Sequence, residues 1–292
     1  MPLPTLLLAA LAMLAFAGNS VLCRLALTET RTDAASFTVI RIVSGALLLW
    51  LLVYLRKRDR QKSGNWAGAL ALTLYAAAFS FAYVRLDTGI GALLLFGAVQ
   101  LSMLLYGLIR GERLGPAATS GLVLAIAGVI VLLLPGGSAP PMGSALVMLL
   151  SGVAWGVYSL LGKTAADPLG ATADNFVRAI PLALLSALPF LDDLRWDATG
   201  ALYAVLSGTI ASGLGYAIWY SALRNLGSIQ AASIQLSVPI LAAVAGIMLL
   251  DEPLTPRILL ATVAVIGGLI IVLRTRALKP SPDGGKVPPA GR

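Results

Sequence analysis

Ten apolar runs, most of them close to twenty residues long and parted by short polar breaks, leave this chain few ways to fold. They cover roughly 3–23, 34–55, 65–84, 89–109, 117–134, 143–162, 171–191, 198–219, 229–250 and 256–273. A helix of about 20 apolar residues crosses the ~30 Å hydrocarbon core of a bilayer. Lipid offers no water to unpaired backbone groups, so only helices and closed barrels can span it. The runs are continuous and rich in Leu and Ala, whereas barrel strands alternate over about ten residues. The sequence therefore predicts an all-α polytopic membrane protein with ten transmembrane helices. Composition agrees, with 58% apolar and 12% charged residues against about a quarter charged in soluble domains.

The chain also repeats itself. Glu112-Arg113-Leu114-Gly115-Pro116 opens the run from Ala117, and Glu252-Pro253-Leu254-Thr255-Pro256 opens the run from Ile258. A shift of about 140 residues superposes them and pairs Val123 with Val263, Ile126 with Ile266, Gly128 with Gly268 and Leu133 with Leu273. The expected units are 1–135 and 136–276, with a Pro/Gly-rich, disordered cytoplasmic tail over 277–292. Five crossings are an odd number, so the second unit enters the membrane from the opposite side. That gives inverted-topology repeats, an architecture of alternating-access transporters.

The first run is read as a retained helix. Ala15-Phe16-Ala17 resembles a cleavage site, yet no cation precedes it and the apolar run continues to Cys23. Phe16 and Arg24 also align with Trp155 and Lys163, in a mid-chain run that cannot be a leader. The basic cluster from Arg56 to Lys62 and the basic tail belong on the cytoplasmic side, which places both termini there.

Several function classes lack their chemistry. The chain has no histidine and one cysteine, Cys23, which removes His-based triads, His-ligated metal sites and an internal disulfide. Intramembrane proteolysis needs a histidine-activated serine, a zinc motif or paired aspartates. None is apparent, so an enzyme is not expected, nor a cofactor or a metal. The net charge of +8 is accounted for by cytoplasmic Lys and Arg, and no basic patch interleaved with aromatics suggests nucleic acid. No filter sequence suggests a channel.

The paired Glu-x-Leu-x-Pro segments, the stretch Phe16-Ala17-Gly18-Asn19 to Arg24 with its echo Trp155-Gly156 to Lys163, and Arg41 with Arg178 resemble the drug/metabolite transporter superfamily. The likeness covers all ten helices. It is to the ten-helix type with two EamA repeats, most nearly the bacterial aromatic amino-acid exporter branch. The resemblance implies a bacterial inner-membrane exporter with a central cavity lined by helices 1, 3, 4, 6, 8 and 9. One departure stands out: Pro239 in helix nine matches the family's mid-helix proline, but its first-repeat counterpart is Val99.

A cavity within lipid needs apolar or aromatic walls and a few polar groups. Tyr75, Phe79 and Tyr83 recur every four residues on helix three, and Ser212, Tyr216 and Tyr220 do so on helix eight. Trp155, Tyr158 and Ser159 share a face of helix six. Asn19, Gln100, Gln235 and Ser237 are uncharged polar groups within apolar helices. The plainer reading of any one is an interfacial anchor or an interhelical hydrogen bond, with Tyr83, Tyr158 and Tyr220 the candidates for headgroup anchors. As a set they predict a substrate site in which rings stack on the substrate while amides and hydroxyls meet its polar ends. Gly89, Gly91, Gly97 and Pro239 are candidate hinges, with close packing the alternative for the glycines.

Arg41 and Arg178 occupy matching positions in helices two and seven. Snorkelling or carbonyl pairing is the expected role, and binding of a substrate carboxylate the alternative. Glu112 and Glu252 are expected to complement the dipoles of helices five and ten. Asp174 is the carboxylate nearest the membrane interior, and helix one carries none. The expectation is therefore facilitated, not proton-coupled, export of amino acids, aromatic and other neutral ones, by a monomer in the lipid bilayer. Export of other small metabolites or amphipathic drugs, with or without protons, is the alternative.

Overall fold

The computed structural model describes residues 3–56, 64–111, 113–137, 139–162, 165–223, 225–226 and 228–277. Outside it lie Glu112, Lys163, Arg224, residues 57–62 of the basic cluster, and the tail beyond Ala277. Among the described residues, ten helices are long and apolar enough to cross a membrane. They are α1 (Leu3–Glu29), α2 (Ala34–Leu55), α3 (Trp66–Tyr83), α4 (Thr88–Ile109) and α5 (Pro116–Leu133), then α6 (Met142–Gly162), α7 (Pro168–Ala187), α8 (Ala198–Leu223), α9 in two pieces (Ser228–Gln235 and Ser237–Leu250) and α10 (Pro256–Ala277). The expected ten-helix architecture is present.

Local chemistry sets most of the borders. Asp33 caps α2 by accepting from the N–H groups of Ala35 and Ser36 at 2.8 and 2.9 Å. Asn65 and Asp197 cap α3 and α8 at 2.7 Å. Pro116, Pro168 and Pro256 sit in first turns, where a missing N–H costs nothing. Several borders depart from the apolar count, and those of α1 and α7 change where charged residues fall. Helix α1 runs one and a half turns beyond Cys23 to Glu29, because Arg24 is held by the carbonyls that end α3, at 2.9 and 3.1 Å. Helix α7 starts at Pro168, which puts Asp174 nearly two turns inside it.

The packing is reciprocal. Helix α2 lies on α7, α4 on α9, and α5 on α10; α3 and α4 pack on α6 as α8 and α9 pack on α1. Each of these pairings joins the two halves, as two opposed copies related by a pseudo-twofold require. Small residues let the α5–α10 seam close. A Cβ on Gly121 would lie 2.6 Å from the Gly268 carbonyl, and one on Gly128 would lie 2.9 Å from Ala264 and Val265.

Loops at one end of the bundle also join the halves. Asp33 accepts from the Arg195 N–H at 2.6 Å, and Asp197 from the Arg31 N–H at 2.9 Å. Burial alone would push the Asp33 carboxyl up, but bonds from Ser36, Arg195 and Ala35 together hold it below its usual value. Glu252 does not serve α10, contrary to the sequence-based expectation. Its carboxylate accepts from the Thr88 N–H at 2.7 and 2.8 Å and from the Thr88 hydroxyl at 2.7 Å, and so caps α4 of the first half. The reversal arises at Asp251, whose left-handed backbone (φ 52°) ends α9 and turns Glu252 back over Gly246. Arg24 stands 3.7 Å from the same carboxylate. Burial pushes the Glu252 carboxyl above its ordinary range, against the Thr88 bonds and the Arg24 charge.

Candidate functional site

The core where the two halves meet is aromatic. Trp155 of α6 is its hub, with ring centroids 4.7 Å from Tyr75, 5.1 Å from Tyr216 and 5.3 Å from Tyr158. Tyr75 continues to Phe79 at 5.6 Å, and Phe79 to Tyr83 at 4.7 Å. These separations fall in the favourable range for offset and edge contacts. Beside the hub is a cavity of about 20 Å³, lined by Phe16, Asn19, Tyr75, Phe79, Leu95, Phe96, Trp155, Ala211, Ser212 and Tyr216. That volume admits about one water, so this conformer is closed around its centre.

A chain of polar groups forms one wall. The Ser207 hydroxyl donates to the Asn19 amide oxygen at 2.6 Å, the Asn19 amide nitrogen to the Tyr75 hydroxyl at 3.4 Å, and Arg41 Nη2 to that same hydroxyl at 3.0 Å. Arg41 Nε completes it by donating to the Ser212 hydroxyl at 3.4 Å. The chain draws on α1, α2, α3 and α8, hence on both halves. Its geometry depends on a stretch of α8, Ser207–Leu214, that is π-helical. With i to i+5 bonding, residues five apart come to lie nearly above one another. Ser207 and Ser212 therefore face the same neighbours, which an α-helical course would deny them.

Of the residues singled out in the sequence, the structure brings Asn19, Tyr75, Phe79, Trp155 and Tyr216 together around the cavity. Gln100 is buried on α4, and its amide nitrogen has no partner among the described residues. Tyr83 and Tyr158 are buried and not at a lipid headgroup level of exposure. The Tyr83 hydroxyl donates to the Thr88 carbonyl at 3.2 Å, and its ring fills the space that Gly91 leaves. Ser159 donates to the Trp155 carbonyl, and Ser237 to that of Ile234. Gln235 is half-buried at the end of the first piece of α9. Tyr220 lines a separate recess of about 410 Å³ with Arg56, Pro168, Leu169, Ala217, Ser221 and Leu223.

Helix α4 is unbroken past all three of its candidate hinge glycines. Gly89 packs against Ala243, where an added Cβ would come within 2.7 Å, while Gly97 faces Val265 at an ordinary 3.6 Å. The break lies in α9 at Leu236, between its two pieces. Pro239 has no N–H for the carbonyl of Gln235, which frees the chain one turn upstream.

Several contributors, Phe16, Phe96 and Arg41 among them, were not in the set read from the sequence as substrate-binding. Phe16 had a usable signal, since it is the repeat counterpart of Trp155. Phe96 had none within an apolar helix. Arg41 is the larger correction: it does not snorkel. It is 1% exposed, lies 5.0 Å from the Phe79 ring centre and 5.2 Å from that of Tyr75, and backs the cavity wall.

Comparison with known proteins follows the same lines. The model of the EamA-like transporter family matches residues 3–134 and again 142–274. An uncharacterized protein of Pseudomonas aeruginosa is 59% identical over 96% of this chain and 98% of its own. A Streptantibioticus cattleyicolor protein named as a probable terminal-alkyne amino-acid exporter is 29% identical over 71% of each chain. A crystal structure at 19% identity covers 94% of this chain and 99% of its own with a TM-score of 0.67, a likeness of fold.

Proposed function

This chain belongs to the EamA-like transporter family, and on that premise we propose that it exports amino acids, aromatic and other neutral ones, across a bacterial inner membrane. It is a multi-pass membrane transporter and not an enzyme. The observation that carries the substrate reading is the closed aromatic cavity between the halves, edged by the amide of Asn19 and the hydroxyls of Tyr75 and Ser212. Ring faces suit apolar and aromatic side chains, and the polar edge suits the charged ends of an amino acid. The exporter name of the Streptantibioticus cattleyicolor relative supports the same class.

Transport proceeds by alternating access. The cavity admits about one water as it stands, so the walls must part on one side and then the other. The break in α9 near Pro239 and the glycines of α4 are the places where the proposal puts that bending. The walls of the closed cavity carry no Asp or Glu among the described residues, and an acid there is the usual carrier of a coupled proton. Export is therefore facilitated, running down the substrate gradient. The chain works as a monomer, since one copy supplies every residue of the cavity wall, and both termini face the cytoplasm, where the basic segments hold them. The proposed units remain 1–135 and 136–276.

Purified protein in proteoliposomes tests the reading, with uptake of labelled amino acids followed with and without a pH gradient. Saturable uptake of phenylalanine and other neutral amino acids, insensitive to that gradient, is expected. Folded, inserted protein that moves none of them would overturn the substrate class, and uphill movement driven by protons would overturn the facilitated mechanism.

A further inference from the structure

The costliest group in the membrane interior is Arg41. Its side chain is 1% exposed, and each partner it has is a neutral hydroxyl or an aromatic ring. Nη1 has no partner among the described residues. Among the described residues, arginines other than Arg41 form ion pairs: Arg24 with Asp87 and Glu252, Arg56 with Asp167, and Arg178 with Asp174. A buried cation without an anion is strongly unfavourable, and intramembrane charges of this kind mark substrate paths. Both hydroxyls that Arg41 holds, those of Tyr75 and Ser212, belong to cavity-lining residues. The anion it lacks would therefore be met from the cavity.

We infer that Arg41 determines specificity by receiving a carboxylate of the transported molecule, so that the substrate class is organic carboxylates with an apolar or aromatic body. The inference rests on the cavity being the transport site and narrows what that site demands. A carboxylate presents two oxygens to the guanidinium fork, a geometry that neutral groups do not match. Among the described residues no acidic side chain lines the cavity to demand an ammonium in return. An amino acid qualifies through its carboxylate, and its amino group is optional.

The test compares three near-isosteres as competitors of labelled phenylalanine uptake in proteoliposomes: phenylalanine itself, phenylalanine amide and 3-phenylpropanoate. Phenylalanine and 3-phenylpropanoate are expected to compete at least about tenfold better than the amide, the scale of a hydrogen bond to a charged group. Arg41→Gln should shrink that ratio to within about twofold, and Arg41→Lys should restore part of it, which a merely structural arginine would not do. A wild-type protein that treats the amide and the acids alike overturns the inference, as does Arg41→Gln that folds and keeps the ratio. If wild-type protein moves no phenylalanine, the amino-acid reading fails separately. Thermal stabilisation of purified wild-type protein by the same three compounds then decides. Stabilisation by 3-phenylpropanoate but not by the amide upholds the carboxylate requirement. Stabilisation by the amide alone, by both compounds alike or by none overturns it. Should Arg41→Gln fail to fold, the wild-type ratio judges the inference in the same way.

Discussion

Arg41 of α2 and Arg178 of α7 are the arginines that the sequence reading pairs across the two repeats, yet the fold treats them in opposite ways. Arg178 is partly exposed and lies along its own helix, 3.3 Å from the carbonyl of Asp174 and 4.0 Å from that residue's carboxylate. Arg41 is enclosed by α3 and α8, bonded to two hydroxyls and stacked near two rings. The two repeats therefore put a helix arginine to different uses. What differs is the neighbour: Asp174 precedes Arg178 by one turn, and at the equivalent place before Arg41 stands Phe37. A cation with a carboxylate on its own helix is satisfied locally, and one without must look across the bundle.

The sharpest way to break this contrast is to neutralise each arginine in turn. Arg178→Gln is expected to leave phenylalanine uptake within about twofold of wild type, because a partly exposed pair contributes little. Arg41→Gln should lower uptake at least about tenfold. Equal losses would mean that the two sites are still functional equivalents. A smaller effect comes from Tyr75→Phe, which strips the hydroxyl shared by Asn19 and Arg41. It should destabilise the purified protein by about 1–3 kcal/mol, as a buried donor left unmet does, measured as a lowered melting temperature in detergent. No loss would remove the Asn19–Tyr75–Arg41 chain from the account of why Arg41 is held inward.

The smallest change acts on both helices alike. Asp33 caps α2, which carries Arg41, and accepts from the chain just after α7, which carries Arg178. Asp33→Ala should cost ~1 kcal/mol of stability, the usual worth of a cap, while leaving the ratio of the two arginine variants unchanged. Because the Asp33 carboxyl is held below its ordinary value, its stabilisation is fully present above the unfolded-state pKa and fades as pH falls through the lowered one. Wild-type protein should therefore lose stability over that acid window faster than Asp33→Ala does, and parallel curves would sink the assignment.

Much of this was legible in the residues. Leu- and Ala-rich runs of span length can only be helices in lipid, and the shift that superposes Gly128 on Gly268 exposes the duplication; the α5–α10 seam then packs on Gly121, Gly128 and Gly268. Tyr75, Phe79, Trp155 and Tyr216 were readable as one set because an aromatic at mid-depth gains nothing from facing lipid. Other features had no one-dimensional signal. The π-helical stretch of α8 is written in Ser-Gly-Thr-Ile-Ala-Ser-Gly-Leu, a sequence equally open to an ordinary helix. Glu252 precedes α10 in the chain but caps α4 across the bundle, since a carboxylate binds whichever helix N-terminus the turn at Asp251 brings near.

Sequence alone thus determined the solvent, the number of crossings, the duplication and the aromatic character of the interior, because those follow from hydropathy, helical spacing and parity. Only tertiary structure decided which polar groups meet, that α9 rather than α4 is broken, and that Arg41, unlike Arg178, is turned inward. Those outcomes depend on which helices from opposite copies pack together, and packing between distant segments leaves no local trace in the order of residues.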